Sequence, residues 1–153
     1  MHEPFIQKSI ELSRQAVYKS NMPFGACLVR DGKIILTAEN TVNTDNDPTG
    51  HAETNLVRKA ARLFPPDVLQ ESILYTSTEP CAMCAGAIYW AGIPTVIFGC
   101  SNHTLGEIAG PAISLSCREV FARGARNTEV IGPVQEEEAV KVHQDFWNEN
   151  NRL

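Results

Sequence analysis

Two short segments carry residue types suited to metal ligation and proton transfer. His51-Ala52-Glu53 stands directly after the turn-forming run DPTG, and thirty positions beyond His51 comes the segment Pro80-Cys81-Ala82-Met83-Cys84. Both fall where a helix starts after a loop or strand, so two helix N-termini can converge at one edge of a sheet. The partial positive charge of a helix start favours thiolate and lowers the pKa of Cys81 and Cys84. Pro80 fits just before or within the first helical turn, where its missing N–H costs nothing. Two thiolates and one imidazole, His51, make three zinc ligands. Structural zinc normally takes four protein ligands, whereas three leave a position for water. Zinc lowers the pKa of bound water to about 7, and the Glu53 carboxylate, two residues from His51, can take that proton and deliver it to a leaving amine. The implied chemistry is hydrolytic deamination: water adds to an amidine-like carbon of an aromatic base and ammonia leaves.

Taken singly, Cys-x-x-Cys is also the pattern of a thioredoxin-like redox pair, or of two buried thiols one helical turn apart. Joined to His-x-Glu upstream, it is the signature of zinc-dependent deaminases. Cys27, Cys100 and Cys117 lie in apolar surroundings and read as core thiols. His103 and His143 have no partner at ligand spacing, although His103, placed in a loop after a strand, can face the site, and His2 reads as a disordered terminus.

The elements that must position these residues follow from periodicity. Phe5, Ile6, Ser9, Ile10, Leu12, Ala16 and Val17 recur at helical spacing and predict a first helix. FGACLVRDGKIILTAEN reads as two strands joined at Asp31-Gly32, a dipeptide that favours a tight hairpin turn. A helix opens near His51 and runs to Pro65-Pro66; SILYTS is a buried strand; CAMCAGAIYWAG is a second helix closed by Gly92. PTVIFGC and TEVIGPV read as further strands, with CREVFARG as a short helix between them and EEEAVKVHQDFWNE as a last one. The triple acid Glu136 to Glu138 belongs in the first turn of that helix, where it favours the dipole. Helices interleaved with strands after an opening hairpin predict a three-layer α/β/α sandwich on a mixed five-stranded sheet.

Length and charge narrow the function classes. A chain of 153 residues suits a single domain spanning 1–153 with one core. The apolar fraction of 43% and charged fraction of 20% are those of a globular protein, and no apolar run is long enough for a membrane helix. The N-terminus lacks the layout of a signal peptide, and five cysteines without a secretion signal read as reduced thiols, so a cytoplasmic location is expected. A net charge of −5 opposes a large nucleic-acid footprint. Arg118, Arg123 and Arg126 read as a solvated helix face.

On the segments PFGACLVRDGKII, ENTVNTDNDPTGHAET and LYTSTEPCAMCAGAIYWAGI the chain resembles the cytidine deaminase superfamily, within it the branch of small nucleobase and tRNA adenosine deaminases, and most of all the bacterial guanine deaminases. The likeness spans roughly residues 3–98. It implies a cytidine-deaminase-like fold, zinc held by His51, Cys81 and Cys84, and Glu53 as proton shuttle. It further implies that Asn40 hydrogen-bonds the ring of a base, that Phe24 packs on it, and that the N–H groups of Ala52 and Cys81 face the substrate. A flat base is well held by an aromatic face and an amide edge. From the residues alone, Phe24 is equally a core residue at a strand start and Asn40 a turn residue. Trp90 is either a helix-core residue or a further pocket candidate. The resemblance also implies a homodimer, some relatives exchanging C-terminal segments; Phe146 and Trp147 either pack on the core or cap a site.

The chain departs from the pattern at two places. Gly50 replaces the usual alanine, a change expected to loosen the start of the helix. After His103-Thr104, where guanine deaminases carry an acidic residue, Pro111 and Ala112 stand instead, leaving Glu107, Asp145 and Glu149 as substitutes. The leading expectation is a zinc-dependent deaminase of a free nucleobase, guanine or a related purine. The alternatives are a tRNA adenosine deaminase, a cytosine or nucleoside deaminase, and a zinc or redox protein without activity. The acidic balance and the C-terminal run EEEAVKVHQDFWNENNRL oppose RNA as a partner.

Overall fold

Alternation of apolar residues along each strand builds two cores, one on each face of a central sheet. The computed structural model describes residues 1–147. In order these form α1 (Glu3–Tyr18), β1 (Gly25–Arg30), β2 (Lys33–Glu39), α2 (Val42–Asp45), α3 (Ala52–Leu63), α4 (Pro66–Gln70), β3 (Ile73–Thr78), α5 (Ala82–Ala91), β4 (Thr95–Cys100), α6 (Asn102–Ala109), α7 (Cys117–Ala122), β5 (Glu129–Ile131) and α8 (Glu136–Phe146). The five strands lie in the order β2-β1-β3-β4-β5. β1 is antiparallel to both β2 and β3, and β3-β4 and β4-β5 are parallel. The expected mixed sheet between helical layers is what forms.

Successive side chains of a strand point to opposite faces. Ala26, Leu28, Leu74, Val96 and Phe98 therefore pack with Leu56 of α3 and Ile88 of α5, while Cys27, Val29, Tyr75 and Ile97 pack with Ile6 and Ile10 of α1 and Val142 of α8. Burying both faces explains why β1 is closed to solvent along nearly its whole length. Asp31 and Gly32 take φ of 52° and 72°, as a two-residue type I′ hairpin turn requires.

Four expectations change. Three helices absent from the sequence reading form: α2, α4 and α6. Pro65-Pro66 ends α3 but also opens α4, because a proline at the first helical position forfeits no hydrogen bond. His103 lies on α6 and not in a loop: Ser101 caps that helix by accepting from the Thr104 N–H, and Leu105 and Ala109 supply its buried face. His2 is ordered, its Nδ1 lying 2.8 Å from the Tyr75 hydroxyl. Gly50 tightens the turn before α3, contrary to the expected loosening. A Cβ there would lie 2.9 Å from Thr41 Oγ1 and 3.1 Å from the Asp47 carbonyl, so glycine is what lets these segments meet.

The topology sets one edge of the sheet apart. Thr78 pairs with Cys100, so β3 and the parallel β4 end together. The antiparallel β1 begins at that same edge, and Gly25 pairs with Glu39 at the end of β2. Phe24, Asn40, Glu79 and Ser101 each stand one residue beyond a strand at this edge.

α8 is fastened behind that edge by His143, which is 1% exposed. Trp147 Nε1 donates to His143 Nδ1 at 3.0 Å, so the proton of the neutral ring sits on Nε2, which lies 2.6 Å from Thr78 Oγ1. Burial holds the imidazole down to about 4 from its ordinary 6.5. The unfolded chain therefore binds more protons between these two values. The stability this neutral ring supports is present above pH 6.5 and lost as pH falls toward 4. The expected outcome is that the stability advantage of wild type over His143→Gln in urea unfolding shrinks by roughly 3 kcal/mol at most from pH 7 to pH 4. A pH-independent difference between the two proteins would contradict it.

Candidate active site

His51 and Cys81 are the N-cap residues of α3 and α5, and Cys84 lies in the first turn of α5. Extended backbone at each cap, ψ 150° and 173°, turns the chain from loop into helix at the ligand itself. His51 Nδ1 is 3.5 Å from Cys81 Sγ and 3.6 Å from Cys84 Sγ, and all three ligand atoms lie within 4.8 Å of one another. Tetrahedral zinc with its usual bond lengths to nitrogen and sulfur would separate the nitrogen from each sulfur by about 3.6 Å. The donor set and its spacing thus fit zinc, and His51, Cys81 and Cys84 are positioned to bind it.

The charge state of the cluster points the same way. The Cys84 thiol hydrogen-bonded to Cys81 pulls the Cys81 pKa down to about 4, with His51 adding to the effect against burial. Cys84 is pushed up for the converse reason, as donor to the Cys81 thiolate, and by burial. A cation held by these three groups would take the place of the proton between the two sulfurs, which would couple metal binding to proton release. Thr54 Oγ1, 3.2 Å from Cys84 Sγ, gives that sulfur a hydroxyl partner.

These groups open on a cavity of about 770 Å³ lined by His51, Glu53 and Cys81 together with Phe24, Asn40 and Met22. Glu53 is 4% exposed. Burial, reinforced by the Cys81 thiolate, raises its carboxyl to about 7, while His51 and the Thr76 hydroxyl act in the opposite direction. A cation on the neighbouring ligands would also favour the carboxylate.

Asn40 has the turn role and also lines the cavity. Its Oδ1 accepts from Val42 N at 3.1 Å and Met22 N at 3.4 Å, which is turn chemistry, while its Nδ2 has no acceptor among the described residues and is available to the cavity. Phe24 is half-buried, with its ring 5.4 Å from that of His143 and 6.5 Å from that of Trp147, so one residue is both core and cavity wall. The Asn40 N–H donates to the Phe24 carbonyl at 3.0 Å, which fixes the two side by side. Ala52 is fully buried at the first position of α3, where a helix start leaves its N–H without an intrahelical acceptor.

Trp90 is not part of this cavity. It is 83% exposed near the end of α5, edge-on to Tyr89. α5 is apolar on every side, so periodicity could not tell its buried face from its exposed one. Trp147 is buried and packs edge-on against Phe146, the core placement of the two considered. His103 and Glu107 line the cavity with Nε2 and Oε1 2.9 Å apart, Asp145 is exposed on α8 away from it, and Glu149 lies outside the described residues.

The sequence reading singled out the segment after His103 with Pro111 and Ala112, and residues 110–116 between α6 and α7 line the cavity; it missed Glu79, which lines it too. The segment has no periodic signal. Glu79 had one usable signal, its place directly before the ligand motif.

Residues 1–100 match the family described as the cytidine and deoxycytidylate deaminase zinc-binding region. The chain belongs to this family. A probable cytosine deaminase of Schizosaccharomyces pombe is 38% identical over 153 residues, covering 94% of this chain and 91% of that protein. A guanine deaminase of Bacillus subtilis is 43% identical over 120 residues, covering 78% of this chain and 76% of that protein. tRNA-specific adenosine deaminases are also among the relatives. The solved structure of a guanine deaminase from Nitrosomonas europaea superposes with a TM-score of 0.79 at 23% identity, covering 95% of this chain and 84% of that one, a likeness of fold.

Metal analysis of the purified deaminase is expected to find about one zinc per chain. Cys84→Ala, which removes a ligand and leaves its partner thiolate uncompensated, is expected to lose nearly all of it. Full zinc occupancy in that variant would exclude Cys84 from the ligand set.

Proposed function

We propose that this deaminase acts on a free nucleobase, guanine or a related purine, replacing a ring amino group by oxygen with release of ammonia. The observation that carries the reading is a buried carboxylate, Glu53, sharing one cavity with the metal ligands, the free amide edge of Asn40 and the face of Phe24. About 770 Å³ is room for a base and some water.

The net reaction consumes one water and one amino-substituted ring and gives a ring carbonyl and ammonia. Zinc, when bound, supplies a water that is acidic enough to attack near neutral pH. Glu53 would take one proton from the attacking water at a carboxylate oxygen and pass it to a ring nitrogen, then take the remaining proton of the added hydroxyl and pass it to the amino group, which leaves as ammonia as the ring carbonyl forms. Asn40 Nδ2 donates to an acceptor on the ring edge, and Phe24 holds the ring plane. The Ala52 N–H, at the positive end of α3, faces the developing negative charge.

A protein-sized polyanion is disfavoured by the net charge of −5 and by the engagement of the basic residues. Arg118 donates to the carbonyls of Val130 and Gly132, and Arg126 lies over Tyr89 and donates to its carbonyl. Cytosine is the second reading, favoured by the relative named for it, which spans nearly the whole chain. A cytoplasmic homodimer belongs to the same reading, and sedimentation equilibrium tests the dimer. No helix among the described residues is long and apolar enough to cross a membrane.

Ammonia release from guanine, adenine, cytosine and their nucleosides decides the substrate, with turnover of guanine or another free purine expected. Glu53→Gln is expected to retain zinc and to lose roughly 10²–10⁴-fold in kcat. Undiminished turnover in the variant would remove Glu53 from proton transfer. Turnover of cytosine alone would select the second reading. Activity confined to a tRNA stem-loop, with binding that weakens steeply with salt, would overturn both.

A further inference from the structure

Glu79 is a buried carboxylate, 6% exposed, at the sheet edge two residues before Cys81, and proton transfer as described above makes no use of it. Its two oxygens are engaged separately. Oε1 accepts from the Asn102 N–H at 3.1 Å and Oε2 from the Cys117 N–H at 2.8 Å. Asn102 is the first residue of α6 and Cys117 the first of α7. One carboxylate thus gathers two helix starts, each with an N–H that no intrahelical acceptor can satisfy. The backbone of Glu79 is itself fixed, its N–H donating to the Cys100 carbonyl at 2.7 Å. Asn102 Nδ2 donates to the Pro80 carbonyl at 3.3 Å, so α6 is tied directly to the loop that carries Cys81.

Between those two helix starts the chain runs through α6 and then through residues 110–116, which have no regular structure and line the same cavity as His51 and Cys81. Gly110 follows α6 at φ 94°, and the segment returns to helix at Ser116, whose side chain accepts from the Glu119 N–H in a capping box. Its exposed apolar residues, Ile113 at 68% and Leu115 at 37%, contribute little packing that could hold it in place. The hydrogen bonds at its flanks therefore carry most of its positioning.

We propose that Glu79 is a positioning residue for substrate: by holding the starts of α6 and α7 against the loop of Cys81, it sets the distance between the 110–116 wall and the metal site, and so governs how tightly a base is held. Glu79→Gln keeps the size of the side chain but turns one acceptor into a donor facing a buried N–H. Glu79→Ala removes both acceptors.

The test combines kinetics with hydrogen exchange and zinc analysis of the full chain. The kinetic arm rests on the deaminase reading, and the other two do not. In Glu79→Gln, the KM for whichever base wild type turns over is expected to rise about tenfold, with kcat changed much less. The amides of residues 102–117 are expected to exchange at least about tenfold faster, with the sheet amides unchanged and zinc retained. Glu79→Ala, where it folds, is expected to exceed Gln in both effects. Unchanged exchange across residues 102–117 would overturn the proposal even if wild type turned over no base, an outcome that by itself sinks only the free-nucleobase reading. Zinc loss in Glu79→Gln would reassign Glu79 to the metal loop, and a loss confined to kcat would make it a participant in the chemistry; either overturns the positioning role.

Discussion

The site depends on one constraint, that two helices must begin at the same edge of the sheet, each with a metal ligand at its first turn. α3 follows the antiparallel β1-β2 hairpin and α5 follows β3, and the pairing of β1 with β3 brings the loops after them together. The result is His51 Nδ1 within 3.6 Å of both thiols, across thirty residues of chain. The same placement sets Cys81 at the start of α5 beside the Cys84 thiol and N–H and the His51 ring, which together favour its thiolate. A shift of either helix by one residue would rotate its ligand by about 100° and break the set.

The rest of the cavity is built from the strand ends at that edge. Phe24 and Asn40 stand beyond paired positions of β1 and β2 and are joined by a backbone hydrogen bond. Both also serve the fold. Phe24 lies against the aromatic rings of α8, and Asn40 spends its carbonyl oxygen on two backbone N–H groups. This double use holds each side chain in one orientation, so the faces they turn to the cavity are already placed before a ligand enters, which lowers the ordering cost of binding. His143 extends the arrangement: its Nε2 is bonded to Thr78 at the end of β3 and its ring supports Phe24, so α8 acts on the cavity wall without lining it.

Acidic groups do three different tasks within a small space, and environment sets each. Glu53 is desolvated beside a thiolate, and its carboxyl is raised toward neutrality. Glu79 is equally buried but faces two N–H groups, so its charge is satisfied by backbone. Glu136 reaches from the first turn of α8 to accept from the Ser101 N–H at 2.8 Å, bracing the start of α6 from the other side. Its expected role as a charge on a helix dipole is joined by this tertiary contact.

The sequence by itself determined the metal-binding cluster and most of the frame. The grouping of His51, Cys81 and Cys84 was legible because it depends on residue type and on standing at a helix start, and both are local properties. The Asp31-Gly32 turn, the strands and the long helices were legible for the same reason, since period and turn chemistry act over a few residues. Tertiary structure alone decided which aromatic residues meet the cavity. Trp90 and Phe24 are both plausible by type, yet one is exposed on a helix apolar on all sides and the other sits beyond a strand at the open edge. α6 and Glu79 escaped the sequence reading because a short helix with one capping serine gives little periodic signal. A carboxylate that bridges two backbone N–H groups, one of them 38 residues away, gives none. Contacts of that length are settled by the order of the strands, and strand order is a property of the whole sheet rather than of any segment in it.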